Sequence, residues 1–406
     1  ETKAAIMVSC LNINGFSCAG SRDGIHNSKW GHINQLLCTL RTGILIVSEA
    51  HLTEWRCNEL ENLFAQRMKI NFTANPDNPT GKGGVAIIIN KQLTNWHTIQ
   101  TKVIIPGHAM LLRTRWHDDK NITILGVYAL NVSSSDSSES ADFFSSLYNF
   151  FVEHPEWRPD YMGGDLNFVE DAIDQISMHS DDEEVCTAFD KLKELLGLQD
   201  GWCNTFPDKL DYTFCFFQSW IDRIYVTDKL FDQAQQWKIH LVGIAGVDHD
   251  MVSVQIAHEE APLIGKDRWA CPDHILKDEK LSLKIKELGI QTQDKIARLK
   301  NAGRTTTANP QKAYHKFITE AMDLVKNREH ALKCQAQNKE SDLNKAISKL
   351  SEDLDMNEIT CSEKIAGLKR ELRGIKQEEH MSTRCFIAAK DQLEGETISK
   401  YYFQSN

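Results

Sequence analysis

The chain has 406 residues, of which 41% are hydrophobic and 25% charged, the composition of a folded globular protein rather than a disordered one. One core seldom spans this length, so we expect two structural units. No run approaches the roughly 18 consecutive apolar residues that a membrane helix needs, and no basic, apolar leader opens the sequence. The 11 cysteines include no C-x-x-C pair and predict neither a zinc site nor a disulfide framework. We therefore expect an intracellular protein without a membrane partner.

The charge is unevenly distributed along the chain. Residues 1–265 contain 20 Lys and Arg against 35 Asp and Glu, a net charge of −15, whereas residues 266–406 contain 26 against 22, a net charge of +4. The acidic front part argues against strong non-specific binding to nucleic acid, because counterion release against Lys and Arg drives such binding. It is compatible with a nuclease, since carboxylates that hold a cation are themselves negative.

From residue 4 to about residue 256, short β-rich runs alternate with polar loops and a few helical stretches. The apolar and β-branched runs predict seven strands, at 5–11, 44–47, 84–89, 109–112, 122–128, 221–226 and 251–256. Helical spacing predicts helices at 30–41, 140–153 and 185–196. Many short strands with interspersed helices indicate an α/β sandwich of stacked sheets.

After about residue 262 the pattern changes to long polar stretches with helical spacing. We predict helices at 276–300 and 311–337, separated by the breaker-rich segment 303–310. An apolar stripe then predicts a long amphipathic helix, typical of a coiled coil with one stutter, through Leu343, Ile347, Leu350, Leu354, Cys361, Ile365, Leu368, Leu372 and Ile375. We therefore predict an α/β domain over 1–260 and a helical extension over 261–406 that is capable of self-association.

Two polar side chains follow predicted strands near the start of the chain. Glu49 comes after the run 44–47, so its carboxylate should emerge where a buried strand meets a loop, and a hard divalent cation favours such an oxygen ligand. Asn12 ends the first strand and is placed to hold that carboxylate or a metal-bound water. Each also has a structural interpretation, as a solvated loop glutamate and as an asparagine turn before Gly15.

The segment Gly163-Gly164-Asp165-Leu166-Asn167 places an acid and an amide two residues apart. Both would point the same way if the backbone were extended, and the glycines would let the backbone approach a ligand closely. Asp165 could then orient or deprotonate an attacking water while Asn167 donates to a phosphate oxygen. A Gly-Asp-Asn turn without a ligand explains the segment equally well.

Asp222 lies inside the predicted strand 221–226, where an unpaired carboxylate would be costly to bury. Arg223 points to the other face of that strand, so His249, just before the strand 251–256, is the candidate partner. An Asp–His pair would fix the imidazole tautomer and raise its pKa, which leaves a cationic donor for a phosphate. Asp248 would then reach the metal side, and Tyr128, at the end of its strand, could donate to the phosphate. A structural Asp–His hydrogen bond and a packing tyrosine are the alternatives.

These residues belong to seven short motifs that follow one another along residues 4–257: Leu11-Asn12-Ile13-Asn14, Ser48-Glu49-Ala50-His51, Val127-Tyr128-Ala129-Leu130-Asn131, Gly164-Asp165-Leu166-Asn167, Tyr212-Thr213-Phe214, Ser219-Trp220-Ile221-Asp222-Arg223-Ile224-Tyr225 and Asp248-His249. The ordered set resembles the apurinic-type endonuclease domain of LINE (non-LTR) retrotransposons, a branch of the endonuclease/exonuclease/phosphatase superfamily related to deoxyribonuclease I. The resemblance implies a four-layer α/β sandwich, with two packed, mostly antiparallel sheets flanked by helices. It also implies Mg²⁺- or Mn²⁺-dependent nicking of DNA that leaves a 3′-hydroxyl.

The resemblance assigns a metal-binding half of the site. Glu49 would bind the metal, Asn12 would support it and Asp248 would complete the site. Asp165 would activate the attacking water.

It also assigns a phosphate-binding half. Asn167 and Tyr128 would contact the phosphate, and Asp222 would orient His249. Thr213 would lie near the DNA backbone.

Three positions depart from the family pattern. Leu130 stands where Pro is frequent and Leu166 where Phe is common, and both exchanges concern packing. Val247 stands where Ser usually precedes Asp-His, which removes a hydroxyl near the phosphate and puts the efficiency of the reaction in question.

The end of the chain carries a second resemblance, because residues 393–403 look like the segment that precedes reverse transcriptase in such elements. No Tyr-x-Asp-Asp polymerase motif follows, so we interpret the sequence as a piece of a retrotransposon polyprotein, nuclear if it acts on chromosomal DNA. Two other functions remain open. One is a phosphatase of the same superfamily, although Ser219–Asp222 lacks the Pro-Ala-Trp-Cys-Asp form of inositol phosphatases. The other is a catalytically silent remnant whose helical tail is an interaction segment.

Overall fold

The computed structural model describes residues 2–3, 5–16, 28–115, 120–131, 138–175, 182–207, 209, 211–214, 219–257, 263–264, 275, 277–302, 305–306, 308–351, 364–365 and 367–377. The chain divides into two compact units, Glu1–Gly265 with Lys376–Asn406, and Lys266–Ile375. Within the described residues, the first unit contains the β-sheets and the second is helical.

Two six-stranded sheets form the first unit. The first sheet contains, in spatial order, β12 (Ala234–His240), β13 (Met251–Ile256), β2 (Ile6–Asn12), β3 (Thr42–Ser48), β5 (Val85–Asn90) and β4 (Met68–Thr73). The second contains β10 (Leu198–Asp200), β11 (Asp222–Thr227), β9 (Tyr161–Asp165), β8 (Asn121–Tyr128), β7 (Ala109–Arg115) and β6 (Gln100–Ile105). The pairs β2–β3 and β8–β9 are parallel and the other neighbouring pairs are antiparallel, so the prediction of two mostly antiparallel sheets is confirmed. A short ribbon pairs β1 (Thr2–Lys3) with β14 (Leu263–Ile264).

The two sheets bury apolar side chains on both of their faces. In β3, Ile44 and Ile46 belong to the core shared with strands of both sheets, whereas Leu45 and Val47 pack towards the helices of the first sheet. This alternation follows from the two-residue period of a strand. It explains why the central strands are continuous apolar runs in the sequence.

Helices cover the outer face of each sheet. The first sheet carries α1 (Lys29–Thr39) and α2 (Glu54–Leu63), and the second carries α3 (Ser138–Glu153) and α4 (Glu183–Leu196). Two short helices, α5 (Gly201–Thr205) and α6 (Asp228–Phe231), flank β11. The order helix, sheet, sheet, helix confirms the predicted four-layer sandwich.

Two long helices, α7 (Glu279–Ala302) and α8 (Pro310–Ser351), account for most of the described residues of the second unit, and residues 367–375 are also helical. Their small core contains Ile275, Leu281 and Val325. Helix α8 continues through residue 337, where the sequence predicted an end, into the first part of the apolar stripe. Leu354, Cys361 and the segment 393–403 lie outside the described residues, so the coiled coil remains a prediction. Within the part of the chain that the structure describes, no helix has the length and apolarity of a membrane span.

Candidate active site

The predicted site residues meet at one edge of the two sheets. In the parallel pair β2–β3, Asn12 lies opposite Ser48, and in the parallel pair β8–β9, Tyr128 lies opposite Asp165. In the antiparallel pair β9–β11, Asp165 lies opposite Asp222. The carboxyl ends of parallel strands share an edge of their sheet, and open α/β sheets bind ligands at such edges. Side chains from distant parts of the sequence are thereby brought together.

Asn12 joins two of the acidic residues. Its Nδ2 donates to Glu49 Oε1 at 3.0 Å and to Asp165 Oδ2 at 2.8 Å. The Tyr128 hydroxyl donates to the same Glu49 oxygen at 3.1 Å. The Asn12 Oδ1 accepts from the Asn14 main-chain N–H at 2.8 Å, so the amide faces the carboxylates with its nitrogen. Asn12 therefore positions Glu49 and Asp165 through donated hydrogen bonds.

Asp222 and His249 form the buried pair that the sequence predicts. His249 Nδ1 lies 2.7 Å from Asp222 Oδ2, and His249 Nε2 lies 3.9 Å from Asp248 Oδ1. Thr213 Oγ1 accepts from the Asp222 main-chain N–H at 3.1 Å, which anchors the start of β11. Asn14 Nδ2 donates to Asp248 Oδ1 at 3.4 Å and so links the Asn12 turn to the Asp248–His249 segment.

Asp165, Asp222 and His249 form the tightest group of ionisable side chains in this region. One nitrogen or oxygen atom of each lies within 4.8 Å of the others, and all three are at most 5% exposed. Burial, together with repulsion from Asp222, raises the pKa of Asp165 to about 7. Burial alone would lower the pKa of His249, but the charge and hydrogen bond of Asp222 outweigh it and raise that pKa to about 10. The imidazole is therefore cationic near neutral pH.

Backbone strain is concentrated around the site. Among the described non-glycine residues with positive φ are Asn14 at 48°, Glu49 at 51°, His51 at 46° and Asn167 at 53°. Such conformations cost energy and cluster at functional sites. The value at Asn167 also corrects the expected extended backbone: the chain turns after Asp165, because β9 ends there.

The turn still holds Asp165 and Asn167 together. The Asn167 main-chain N–H donates to Asp165 Oδ1 at 2.9 Å, and Asn167 Nδ2 donates to the Ala129 carbonyl at 2.8 Å. On the other side, Ser48 Oγ accepts from the Asp165 N–H at 3.3 Å and donates to the Val127 carbonyl at 3.2 Å. Asp165 is thus held by the turn that follows it and by Ser48 of β3 in the other sheet.

Arg223 lies on the opposite face of β11 from Asp222, as the strand period predicts. Its guanidinium contacts the carboxylates of Glu170, Asp174 and Asp200, and its side chain is 2% exposed. This cluster ties β11 to the loop after β9 and to the end of β10. It leaves His249 as the basic partner of Asp222.

The three departures from the family pattern are packing residues in this structure. Leu166 is 1% exposed and lies in the core beneath α3 and α4, and Leu130 packs against that core. Val247 is 8% exposed and lies in the core of the first sheet. The valine side chain therefore packs inward, away from the polar cluster.

The donor set fits a divalent cation. It consists mainly of carboxylate oxygens, which hard cations prefer, and Asp222 Oδ1 is a buried oxygen without a hydrogen-bond partner among the described residues. Burial and then repulsion from Asp222 raise the pKa of Asp165, and a nearby cation would favour its ionised form. Glu49 and Asp248 offer the oxygens nearest to the opening of the site, since both are only partly buried, whereas Asp165 lies deeper.

Sequence reasoning did not assign three residues that shape the site. Ser48 and Asn14 stand inside motifs that were recognised, so their polarity and position were available signals. Lys29 starts α1 and donates to main-chain carbonyls beside Asn14, and no sequence motif marks it.

Comparison with known proteins identifies the fold. No protein-family model matches the chain. The Transposon TX1 uncharacterized 149 kDa protein of Xenopus laevis is 28% identical over 195 residues, which cover 45% of this chain. The chain spans only 14% of the length of that relative.

Two solved structures share the architecture. The AP endonuclease LMAP from Leishmania major has a TM-score of 0.53 at 12% identity, over 63% of this chain and 88% of that one. The 3′ phosphatase NExo from Neisseria, bound to a product DNA hairpin, has a TM-score of 0.50 at 16% identity, over 63% of this chain and 100% of that one. The first unit therefore has the deoxyribonuclease I-like fold that these two structures share.

Proposed function

We propose that the chain is a metal-dependent phosphodiesterase that nicks DNA and leaves a 3′-hydroxyl, as in target-site cleavage by a retrotransposon. The observation that supports this most strongly is the junction at Asn12, which bonds to both Glu49 and Asp165. Asp165 in turn lies within 4.8 Å of Asp222 and His249. Metal-binding, base and cationic donor groups thus occupy one continuous site, as a phosphodiesterase requires.

Mg²⁺ or Mn²⁺ would be held by Glu49 and Asp248, with Asn12 supporting Glu49. The bound cation would supply Lewis-acid stabilisation of the phosphate and of the leaving oxygen. His249 belongs to the tightest group of potential ligands, yet its Nδ1 is engaged by Asp222 and its raised pKa, about 10, keeps the ring protonated. A protonated imidazole has no lone pair for a metal, so we place the cation on the Glu49 side.

The remaining groups supply acid–base chemistry. Asp165 positions the attacking water and accepts its proton, and a pKa near 7 suits a general base working near neutral pH. His249 donates to a phosphate oxygen, and Asp222 holds its tautomer and charge.

Asn167 and Tyr128 are the neutral donors to the phosphate. Their side chains are only partly buried, so Asn167 would donate with the second N–H of its amide, and Tyr128 by exchanging its hydrogen bond to Glu49 for one to the phosphate. Thr213 is fully buried and fixes the start of β11, so it would act near the DNA backbone through that strand and not by direct contact.

The Xenopus transposon protein supports the retrotransposon context. In that context residues 1–260 would be the endonuclease domain, and residues 261–406 a linker towards a reverse transcriptase, with self-association through its helices.

The proposed reaction can be tested with supercoiled plasmid. The wild-type chain should convert plasmid to the open circle with Mg²⁺ and not with a chelator. A DNA polymerase should then extend the nicks directly, because they carry a 3′-hydroxyl. Nicks that need a phosphatase before extension would contradict the assigned product. Release of phosphate from a 3′-phosphorylated oligonucleotide without nicking would favour the phosphatase, and inactivity on both substrates would favour the silent remnant.

A further inference from the structure

Lys29 is the most deeply buried lysine among the described residues, with a side chain that is 1% exposed. Two of the hydrogen bonds that its ammonium donates go to the carbonyls of Ile13 and Asn14, each at 2.6 Å. Burying a charge is expensive unless it is well bonded. Lys29 is also the first residue of α1, where the positive end of the helix dipole disfavours a cation. Two separate costs therefore oppose this placement.

The carbonyls that Lys29 holds belong to the turn that organises the metal side of the site. In that turn the Asn14 N–H donates to Asn12 Oδ1 at 2.8 Å, and the Gly15 N–H donates to the Glu49 carbonyl at 3.0 Å. Asn14 is in the left-handed region, with φ 48°, a conformation that needs support from its surroundings. An ammonium bonded to two successive carbonyls gives that support.

The same ammonium also lies close to the segment that leads to Asp248 and His249. A Cβ added to Gly246 would stand 3.7 Å from Lys29 Cε and 3.9 Å from Lys29 Nζ. Gly246 precedes Asp248 by two residues, and Asp248 accepts from Asn14 Nδ2 at 3.4 Å. Lys29 therefore lies between the segment that carries Asn12 and the segment that carries Asp248.

We infer that Lys29 is a positioning residue of the proposed nuclease site, which holds the turn 12–15 so that Asn12 aims at Glu49 and Asn14 at Asp248. The inference rests on the proposed function. It predicts that removing the ammonium loosens the turn, because the Ile13 and Asn14 carbonyls then lose the donor that they share. Loss of alignment by about 1 Å costs on the order of 100-fold in rate.

The test compares Lys29→Met with Lys91→Met, a matched control. Lys91 is also partly buried and donates to a main-chain carbonyl, that of Ala65 at 2.8 Å, away from the site. Lys29→Met should nick plasmid at least about 10-fold more slowly in kcat with little change in KM. Its thermal midpoint should fall only slightly and stay above the assay temperature, and Lys91→Met should keep the wild-type rate.

Amide hydrogen exchange gives a readout that does not depend on activity. In Lys29→Met, exchange of the Asn14 and Gly15 amides should accelerate at least about 10-fold, while the amides of β3 keep their protection. The rate loss should also be non-additive with Asp248→Asn, since both changes act on one hydrogen-bonded unit.

Two results would overturn the inference: Lys29→Met nicking within about two-fold of the wild type, or unchanged exchange of the two amides. If Lys29→Met fails to fold, Lys29→Arg decides, because the longer side chain and the planar guanidinium do not fit the buried position of the Lys29 ammonium. It should lose at least about three-fold in kcat, and the wild-type rate would refute the inference. If the wild type does not nick DNA at all, the proposed function fails, and the amide exchange still decides whether Lys29 holds the turn.

Discussion

Replacing Asp222 with asparagine should remove the charge from His249 without removing the imidazole. The two side chains are joined by a 2.7 Å contact, and Asp222 is the main cause that raises the pKa of His249 to about 10. At pH 7.5 that value corresponds to roughly 300 protonated rings for each neutral one. Without Asp222, burial acts against the charged form while Asp165 and Asp248 still favour it, so the pKa of His249 falls towards its usual value near 6.5. At that value about one ring in ten would be protonated at pH 7.5.

The Asp222→Asn substitution should slow nicking for two reasons. Loss of the proton alone should slow nicking about 10-fold at pH 7.5, and loss of the fixed tautomer can extend this to about 10⁴-fold. The part that reflects protonation should recover as the pH falls towards 6, so the pH profile of Asp222→Asn should lose its alkaline activity first.

Nicking rates between pH 6 and 9, with an NMR titration of the His249 ring, check both parts. Asp228→Asn is the control, since the Asp228 carboxylate accepts from Gln199 Nε2 at 2.9 Å and lies outside the site. The raised pKa also stabilises the fold fully below about pH 6.5, and this contribution is lost as the pH rises through about 10. The thermal midpoints of the wild type and of Asp222→Asn should therefore be measured together with their nicking rates. An Asp222→Asn variant that stays folded and keeps the wild-type rate and pH profile would refute the reasoning.

Three further changes have defined outcomes. Asp165→Asn should abolish nicking yet raise the free energy of unfolding at pH 8 by about 1–3 kcal/mol. The reason is that a folded-state pKa near 7 makes ionised Asp165 unfavourable at pH 8, and this cost is absent below the pKa of the unfolded chain. Urea titrations of the variant and the wild type at pH 8 and pH 5 test this, and a variant less stable than the wild type at pH 8 would contradict it. Glu49→Gln should remove the rise in thermal midpoint that Mg²⁺ gives the wild type, and a rise of equal size would place the cation elsewhere. Arg223→Met should destabilise the fold by about 3–5 kcal/mol, since three carboxylates lose their buried partner, and denaturant titration showing a loss below about 1 kcal/mol would contradict this.

The strands that sequence patterns predict are those buried on both faces. All seven predicted strands exist, because continuous apolar runs such as 44–47 mark central strands. Edge strands such as β6 and β12 were not predicted. Their polar residues, as in Gln100–Ile105 and Ala234–His240, stay partly exposed and dilute the apolar signal.

Strand β9 escaped prediction for a different reason. Its Gly163-Gly164 pair has low β-propensity, although neighbouring atoms leave no room for a larger side chain at these two positions. A Cβ at Gly164 would stand 1.8 Å from the Val127 carbonyl oxygen, and one at Gly163 would stand 3.0 Å from Ile46 Cδ1. Close packing against residues that are distant in the sequence requires glycine at both positions, and the local sequence does not reveal it.

The site also contains some features that the sequence predicts and others that it does not. Glu49, Asp165 and His249 could be predicted because each stands at a strand end inside a motif, and the sheet topology brings them together. The left-handed turn at Asn167 could not, because two-residue spacing alone suggests an extended chain. The role of Lys29 could not either, since its contacts depend on where α1 begins relative to the Asn12 turn.

The most direct test of the central claim is the plasmid-nicking rate of Glu49→Ala and of His249→Ala beside the wild type, with Mg²⁺ present. His154→Ala is the control, because its half-exposed ring pairs with Glu156 outside the cluster. If acidic and imidazole groups act as one site, each of the two variants should lose at least about 100-fold of the rate, and the control should keep it. Nicking that survives both substitutions at the wild-type rate would contradict the account.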